Sequence, residues 1–67
     1  MTVGQRIKEL RVSRNMTQDD LAEVLNCSRE KISNYENDKF QYPDCYFLND
    51  IAQYFKVSLD YFFKKGA

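Results

Sequence analysis

Apolar residues recur along this chain at three- and four-residue intervals, the spacing of amphipathic helices and not of strands. Val3, Ile7 and Leu10 set the first stripe and predict a helix over about residues 2–14, with Asn15 as its stop. Thr17 opens a second helix, because its hydroxyl can cap the end while Asp20, three residues on, reaches back in a T-x-x-D capping box. Leu21, Val24 and Leu25 form the inner stripe there, and Asn26, a residue that enters left-handed geometry readily, ends it. Ser28 then caps a third helix at once. At 100° per residue Ile32 and Tyr35 point inward, whereas Arg29, Glu30, Ser33, Asn34 and Asn37 share an outward arc of about 140°. The segment NDKFQYPD reads as a loop, and Phe47, Leu48, Ile51, Ala52 and Phe55 mark a fourth helix. Ser58 can cap a short fifth one, LDYFF.

Length limits what these helices can build. A chain of 67 residues buries one small core, roughly 60% of the surface its unfolded form exposes, so a single domain over residues 1–67 is expected. With 43% hydrophobic residues, one Pro and two Gly, the composition suits a compact all-α domain and not a disordered linker. The opening MTVGQRIKEL interleaves charged and apolar residues, unlike the continuous apolar core of a secretory leader, and no apolar run approaches the roughly 20 residues of a membrane span. A cytoplasmic protein is expected. Two cysteines and no histidine fall short of the four soft ligands of a structural zinc site, so neither metal nor cofactor is expected. Ten basic residues cancel ten acidic ones, and a pI of about 6.1 gives nucleic acid no general support. Distribution matters more: residues 1–18 hold Arg6, Lys8, Arg11 and Arg14 against Glu9 alone, before Asp19, Asp20 and Glu23 follow.

The segments GQRIKELR, TQDDLAEVL, CSREKISNYE and VSLDYFF together resemble the phage-repressor-like helix-turn-helix family, the XRE or lambda-repressor-like class, over nearly the whole chain. The resemblance implies a compact five-helix DNA-binding domain whose second and third helices form the helix-turn-helix. Physical reading of the centre agrees, since Ala22 is small where those two helices approach, and Leu21, Leu25, Ile32 and Tyr35 are apolar where they share a core. Members of the family usually carry Gly at helix ends and in the loop where this chain has Asn15, Asn26, Asp38 and Lys56. Asn and Asp tolerate left-handed geometry, but Lys56 there is strained by about 1 kcal/mol, so either it takes another geometry or the helix ends differently.

In this setting the polar arc acquires a use. A helix over residues 28–37, about 15 Å long, fits the major groove of double-stranded DNA. Arg29 can donate a bidentate pair to guanine, Asn34 can pair with adenine, Glu30 can accept from the cytosine amine, and Ser33 can contact either strand. By resemblance Gln18 and Ser28 hold phosphates beside the exposed N–H groups of two helix ends, and Asn37 and Lys39 grip the backbone beyond the reading helix. Arg14 and Lys31 join as further phosphate candidates. Glu30 has a second reading, as a carboxylate that favours the helix N-terminus and repels phosphate. Similar proteins pair an arginine at the place of Arg11 with a glutamate at that of Glu36, so Arg11 is assigned to structure. Cys27 falls where the family prefers an apolar residue and reads as packing, while Cys45 shows no partner for chemistry.

Aromatic residues crowd residues 40–67, and their surplus suggests a two-fold interface, with Tyr61 and Phe63 as candidates, because similar proteins often dimerise through the last helix. The leading expectation is a sequence-specific transcriptional regulator, a repressor that occupies a palindromic operator as a homodimer. The competing one is a protein-interaction module, or an antitoxin-type binder, that keeps the fold and uses its aromatic surface; net neutrality favours it. An enzyme is not expected: there is no histidine, no Gly-rich phosphate loop and no nucleophile beside a base.

Overall fold

A computed structural model describes residues 1–64, in which four α-helices and a closing 3-10 helix surround one core. Helix α1 spans Val3–Ser13, α2 Gln18–Leu25, α3 Arg29–Glu36 and α4 Cys45–Phe55, and the 3-10 helix spans Leu59–Phe63. The expected fifth α-helix is therefore this 3-10 segment. Five residues provide little more than one turn, and the tighter i→i+3 coil is common in pieces this short. Phe62, 1% exposed, is its buried residue, with Leu59 and Tyr61 packed against the core beside it.

The core joins Ile7 of α1, Leu21 of α2, Ile32 of α3 and Leu48 and Ile51 of α4, all fully buried. Every apolar residue expected inside α4 is buried. Val24 is a correction: it is 46% exposed, because Leu21, Ala22 and Leu25 already fill the inner arc of α2 and leave Val24 at its margin. No helix among the described residues is long and apolar enough to cross a membrane. The sequence spacing did not reveal that Arg6 is buried. Its Nη2 donates to the Lys64 carbonyl at 3.0 Å and its guanidinium lies 5.1 Å from the centre of the Tyr61 ring, which ties α1 to the end of the described chain.

The helix ends follow local chemistry. Thr17 and Asp20 form the expected capping box, with Asp20 accepting from the Thr17 N–H at 2.9 Å; the backbone and hydroxyl bonds from Thr17 hold the Asp20 carboxyl below its ordinary 3.8. Thr2 and Gln5 make a second box on α1. Asn15, Asn26, Asp38 and Lys56 all adopt positive φ, between 55° and 58°, so Lys56 does take the left-handed geometry at the end of α4. Asp38 turns that geometry to use: its carboxylate accepts from Thr2 Oγ1 at 2.6 Å and from the Gly4 N–H at 2.9 Å, capping α1 from beyond α3.

That contact brings the start of α1 against the end of α3. A Cβ on Gly4 would stand 2.4 Å from the Tyr35 carbonyl oxygen and 2.5 Å from that of Glu36, both backbone atoms. Helix propensity alone makes Gly4→Ala stabilising by about 1 kcal/mol. Close approach reverses the sign: Gly4→Ala is expected to lower the unfolding free energy by about 3 kcal/mol in urea titrations, and a neutral or stabilising result would show that the two helices separate without cost.

Candidate nucleic-acid interface

Helix α3 is eight residues, roughly 12 Å long, shorter than the expected span over residues 28–37 because both ends of that span are caps. Ser28 Oγ accepts from the Lys31 N–H at 3.1 Å, and Asn37 closes the other end. The outward arc is as expected: Arg29, Glu30 and Asn37 are exposed, and Ser33 and Asn34 are half-buried beside them. The four candidate base-reading residues, Arg29, Glu30, Ser33 and Asn34, therefore share one solvent-facing strip.

Two flanks bound that strip. On one, Glu36 lies between inward Ile32 and outward Arg29 on the helical wheel, facing α1 and α2. Its carboxylate, on a residue 6% exposed, takes a two-pronged pair from Arg11, with the Arg11 Nη2 at 3.0 Å, and a third bond from Gln18 Nε2, also at 3.0 Å. Arg11 also donates to the Met16 carbonyl at 2.7 Å. The expected Arg11–Glu36 pair is thus present, and it extends to α2 and to the connection between α1 and α2. On the same flank Asp19 Oδ1 lies 3.6 Å from Arg29 Nε. On the other flank Lys31, exposed, holds its ammonium 4.1 Å from the centre of the Phe47 ring on α4.

The candidate phosphate contacts are less uniform than the polar strip. Ser28 and Gln18 stand at the N-terminal ends of α3 and α2, but both have internal duties: the Ser28 hydroxyl as a cap and the Gln18 amide as a donor to Glu36. Asn37 donates from its amide to the Ser33 carbonyl at 2.9 Å. Lys39 is exposed just beyond α3, its backbone N–H bonded to the Asn34 carbonyl at 2.8 Å. Arg14 is not gathered with the others. Its guanidinium lies 5.4 Å from the centre of the Phe55 ring with Nη2 3.4 Å from the Phe55 carbonyl, at the C-terminal end of α4 where a cation is favoured.

Aromatic residues of the loop and the start of α4 divide between core and surface. Phe40 stacks on Tyr35 with ring centres 4.9 Å apart, Phe47 of α4 meets the same ring tilted at 4.7 Å, and the Asp44 N–H donates to the Tyr35 hydroxyl, so the loop is pinned to α3. Tyr42 and Tyr46, by contrast, are 81% and 86% exposed. Tyr61 is half-buried, while Phe63 is 48% exposed. Cys27 packs against the core, and burial raises its thiol above 9.0 despite the opposing charge of Lys31, which suits a packing role. Cys45 is exposed. Among the described residues no cluster of His, Cys, Asp and Glu is arranged to hold a metal ion.

A family model described as a helix-turn-helix domain matches residues 4–66. The chain is 38% identical over 65 residues to the HTH-type transcriptional regulator ImmR of Bacillus subtilis (strain 168), covering 97% of this chain and 50% of that protein. It is 38% identical over 60 residues to the HTH-type transcriptional activator BcrR of Enterococcus faecalis, covering 90% and 29% respectively. It is 50% identical over 40 residues to the immunity repressor protein of Bacillus phage phi105, covering 60% and 28%. The chain thus spans half or less of the length of these curated relatives. The crystal structure of SinR, a master regulator for biofilm formation, in complex with DNA superposes with a TM-score of 0.84 at 25% identity, covering 94% of this chain and all of that one.

If the Glu36 carboxylate organises this interface, Glu36→Ala leaves the largely covered Arg11 guanidinium without its partner. The expected loss is about 3–5 kcal/mol in urea titrations, whereas Arg11→Met with Glu36→Leu recovers most of it. Equal losses from both variants would mean that packing, not charge, sets the cost.

Proposed function

The chain belongs to the helix-turn-helix domain family, and from that premise we propose that it is a sequence-specific DNA-binding transcriptional regulator that lays α3 in the major groove. The observation that carries this reading is the polar strip of exposed Arg29 and Glu30 with half-buried Ser33 and Asn34, on a helix whose flanks contact α1, α2 and α4. A rigid helix offering donors and acceptors on one face matches the donor–acceptor pattern of base edges in the major groove. Arg29 reads guanine, Asn34 adenine, and Glu30 the cytosine amine, with Ser33 between them. Gln18, Ser28, Lys31, Asn37 and Lys39 approach phosphates around the strip, with Arg14 the outermost of the set. Its relatives' names include both a repressor and an activator, so the sign of control follows from where the site lies; over a promoter, occupancy excludes polymerase and represses. Two copies on a palindrome, joined through Phe63 and Tyr61, complete the reading, since one short helix reaches few base pairs.

A second reading has its own observation. Tyr42 and Tyr46 stand almost fully in solvent on a chain of zero net charge, which favours a module that docks a protein. Selection of sites from a random duplex library, at two salt concentrations, separates the two. The regulator enriches a palindrome with half-sites about 34 Å apart whose binding weakens steeply with salt; absence of enrichment at low salt leaves the protein-docking module.

On the selected site Arg29→Ala is expected to cost about 1–3 kcal/mol and to relax preference at one base, while Lys39→Ala weakens all sequences alike; uniform losses from Arg29→Ala would remove its reading role. For the dimer, Phe63→Glu is the cleaner probe, because Tyr61 also packs against Arg6. It is expected to lower the sedimentation coefficient at micromolar concentration, and no change from a dimeric parent places the interface elsewhere.

A further inference from the structure

We infer that Asp19 is a positioning residue for Arg29, presenting its guanidinium end-on to guanine and withholding its charge from indiscriminate contact with phosphates; the inference rests on the DNA reading proposed above. Asp19 is the second residue of α2 and Arg29 the first of α3, and Asp19 Oδ1, in the first turn of α2, lies 3.6 Å from Arg29 Nε. The adjacent carboxylate is already committed, since Asp20 accepts from the Thr17 N–H as the cap of α2. Asp19 is thus the carboxylate of that turn left to face Arg29.

The atom that Asp19 faces sets the consequence. A carboxylate near Nε lies on the side edge of the guanidinium, at ion-pair distance and not hydrogen-bonded, and the terminal Nη1 and Nη2 edge remains able to donate to guanine O6 and N7 together. Guanine is therefore reached with the pair intact. A phosphate that takes Arg29 by its side edge has to displace Asp19 and approach a carboxylate as it does so. Contact with unrelated sequences is penalised while contact with the right base is not, which is specificity by disfavouring the wrong partner. The two side chains are 60% and 78% exposed, so solvent and salt screen the pair and its effect is modest.

General charge repulsion from DNA is the rival explanation for any effect of removing Asp19, and the structure supplies the control. Glu23 lies about 40° round α2 from Asp19, one turn further on, and makes no ion pair among the described residues. It carries the same charge on the same flank without touching Arg29.

Binding of the full chain is measured to two duplexes, the one that wild-type protein selects from a random library and a scrambled duplex of the same composition, at two salt concentrations. Asp19→Asn is expected to tighten binding to the scrambled duplex and to lower the ratio of selected to scrambled affinity about two- to fivefold, less at high salt. Asp19→Glu, which keeps the carboxylate, restores most of the ratio. In an Arg29→Ala background Asp19→Asn leaves the ratio unchanged, a coupling that repulsion alone does not produce. An unchanged ratio in the single variant, an equal fall in the Arg29→Ala background, or an equal fall from Glu23→Gln overturns the positioning role and leaves the DNA reading standing. Failure of the wild-type chain to select any duplex overturns both.

Discussion

The buried carboxylate of Glu36 is the constraint on which the arrangement of the first three helices depends. A charge removed from water costs several kilocalories per mole unless its lone pairs are filled, and here the donors come from two different helices. Arg11 reaches from α1 and Gln18 from α2, and the observed placement of α1, α2 and α3 satisfies all of these bonds together. Hydrophobic contacts between Ile7, Leu21 and Ile32 provide most of the attraction, but apolar surfaces slide over one another at little cost. The directional bonds around Glu36 remove that freedom. Because Glu36 lies beside Arg29 on the wheel of α3, fixing the one also fixes the direction in which the other points.

Backbone geometry supplies the second constraint. Four connections turn through left-handed residues, none of them glycine, and the two that are asparagine and the one that is aspartate do so at low cost. Asn26 lets α2 and α3 be joined by three residues, which is what holds Asp19 and Arg29 within reach of each other. Asp38 obtains a capping role from the same conformation. Lys56 obtains none that the structure shows and carries a strain of about 1 kcal/mol. Glycine is used instead where backbones meet, at Gly4, where the issue is space and not φ.

Much of this was readable from residue spacing. The Thr17–Asp20 box, the Asn26 stop, the Ser28 cap and the stripe of α4 are local signals, each carried by residues within one or two turns, and the structure agrees with all of them. The T-x-x-Q box of Thr2 and Gln5 is equally local and has the same form. Other features depend on neighbours far along the chain. Arg6 is buried because a carbonyl 58 positions away accepts from it, and nothing within α1 marks it apart from Lys8. Val24 is exposed because Leu21, Ala22 and Leu25 already fill the inner arc of α2. The polar strip of α3 was legible because 100° per residue decides which side chains share a face. The commitments of Gln18, Asn37, Arg14 and Lys31 were not, since each depends on a partner that the helical wheel does not contain.

Net neutrality then shapes what such an interface can do. A strongly basic domain gathers DNA of any sequence by releasing counterions, and its specificity must be built on top of that attraction. Here ten cations are matched by ten carboxylates, and some cations are withdrawn into the fold: Arg6 is buried and Arg11 is paired with Glu36. Arg29, meanwhile, has Asp19 beside it and Glu30 next in sequence. Carboxylates at a DNA interface repel phosphate and accept only from suitable base edges, so they weaken every wrong complex more than the right one. An eight-residue helix about 12 Å long faces only three or four base pairs at 3.4 Å each, too few for such discrimination to suffice alone. Under the proposed function the two facts combine: a domain that binds DNA weakly and selectively gains most from a second copy, because doubling the site multiplies the selectivity while the low background of unspecific binding is kept.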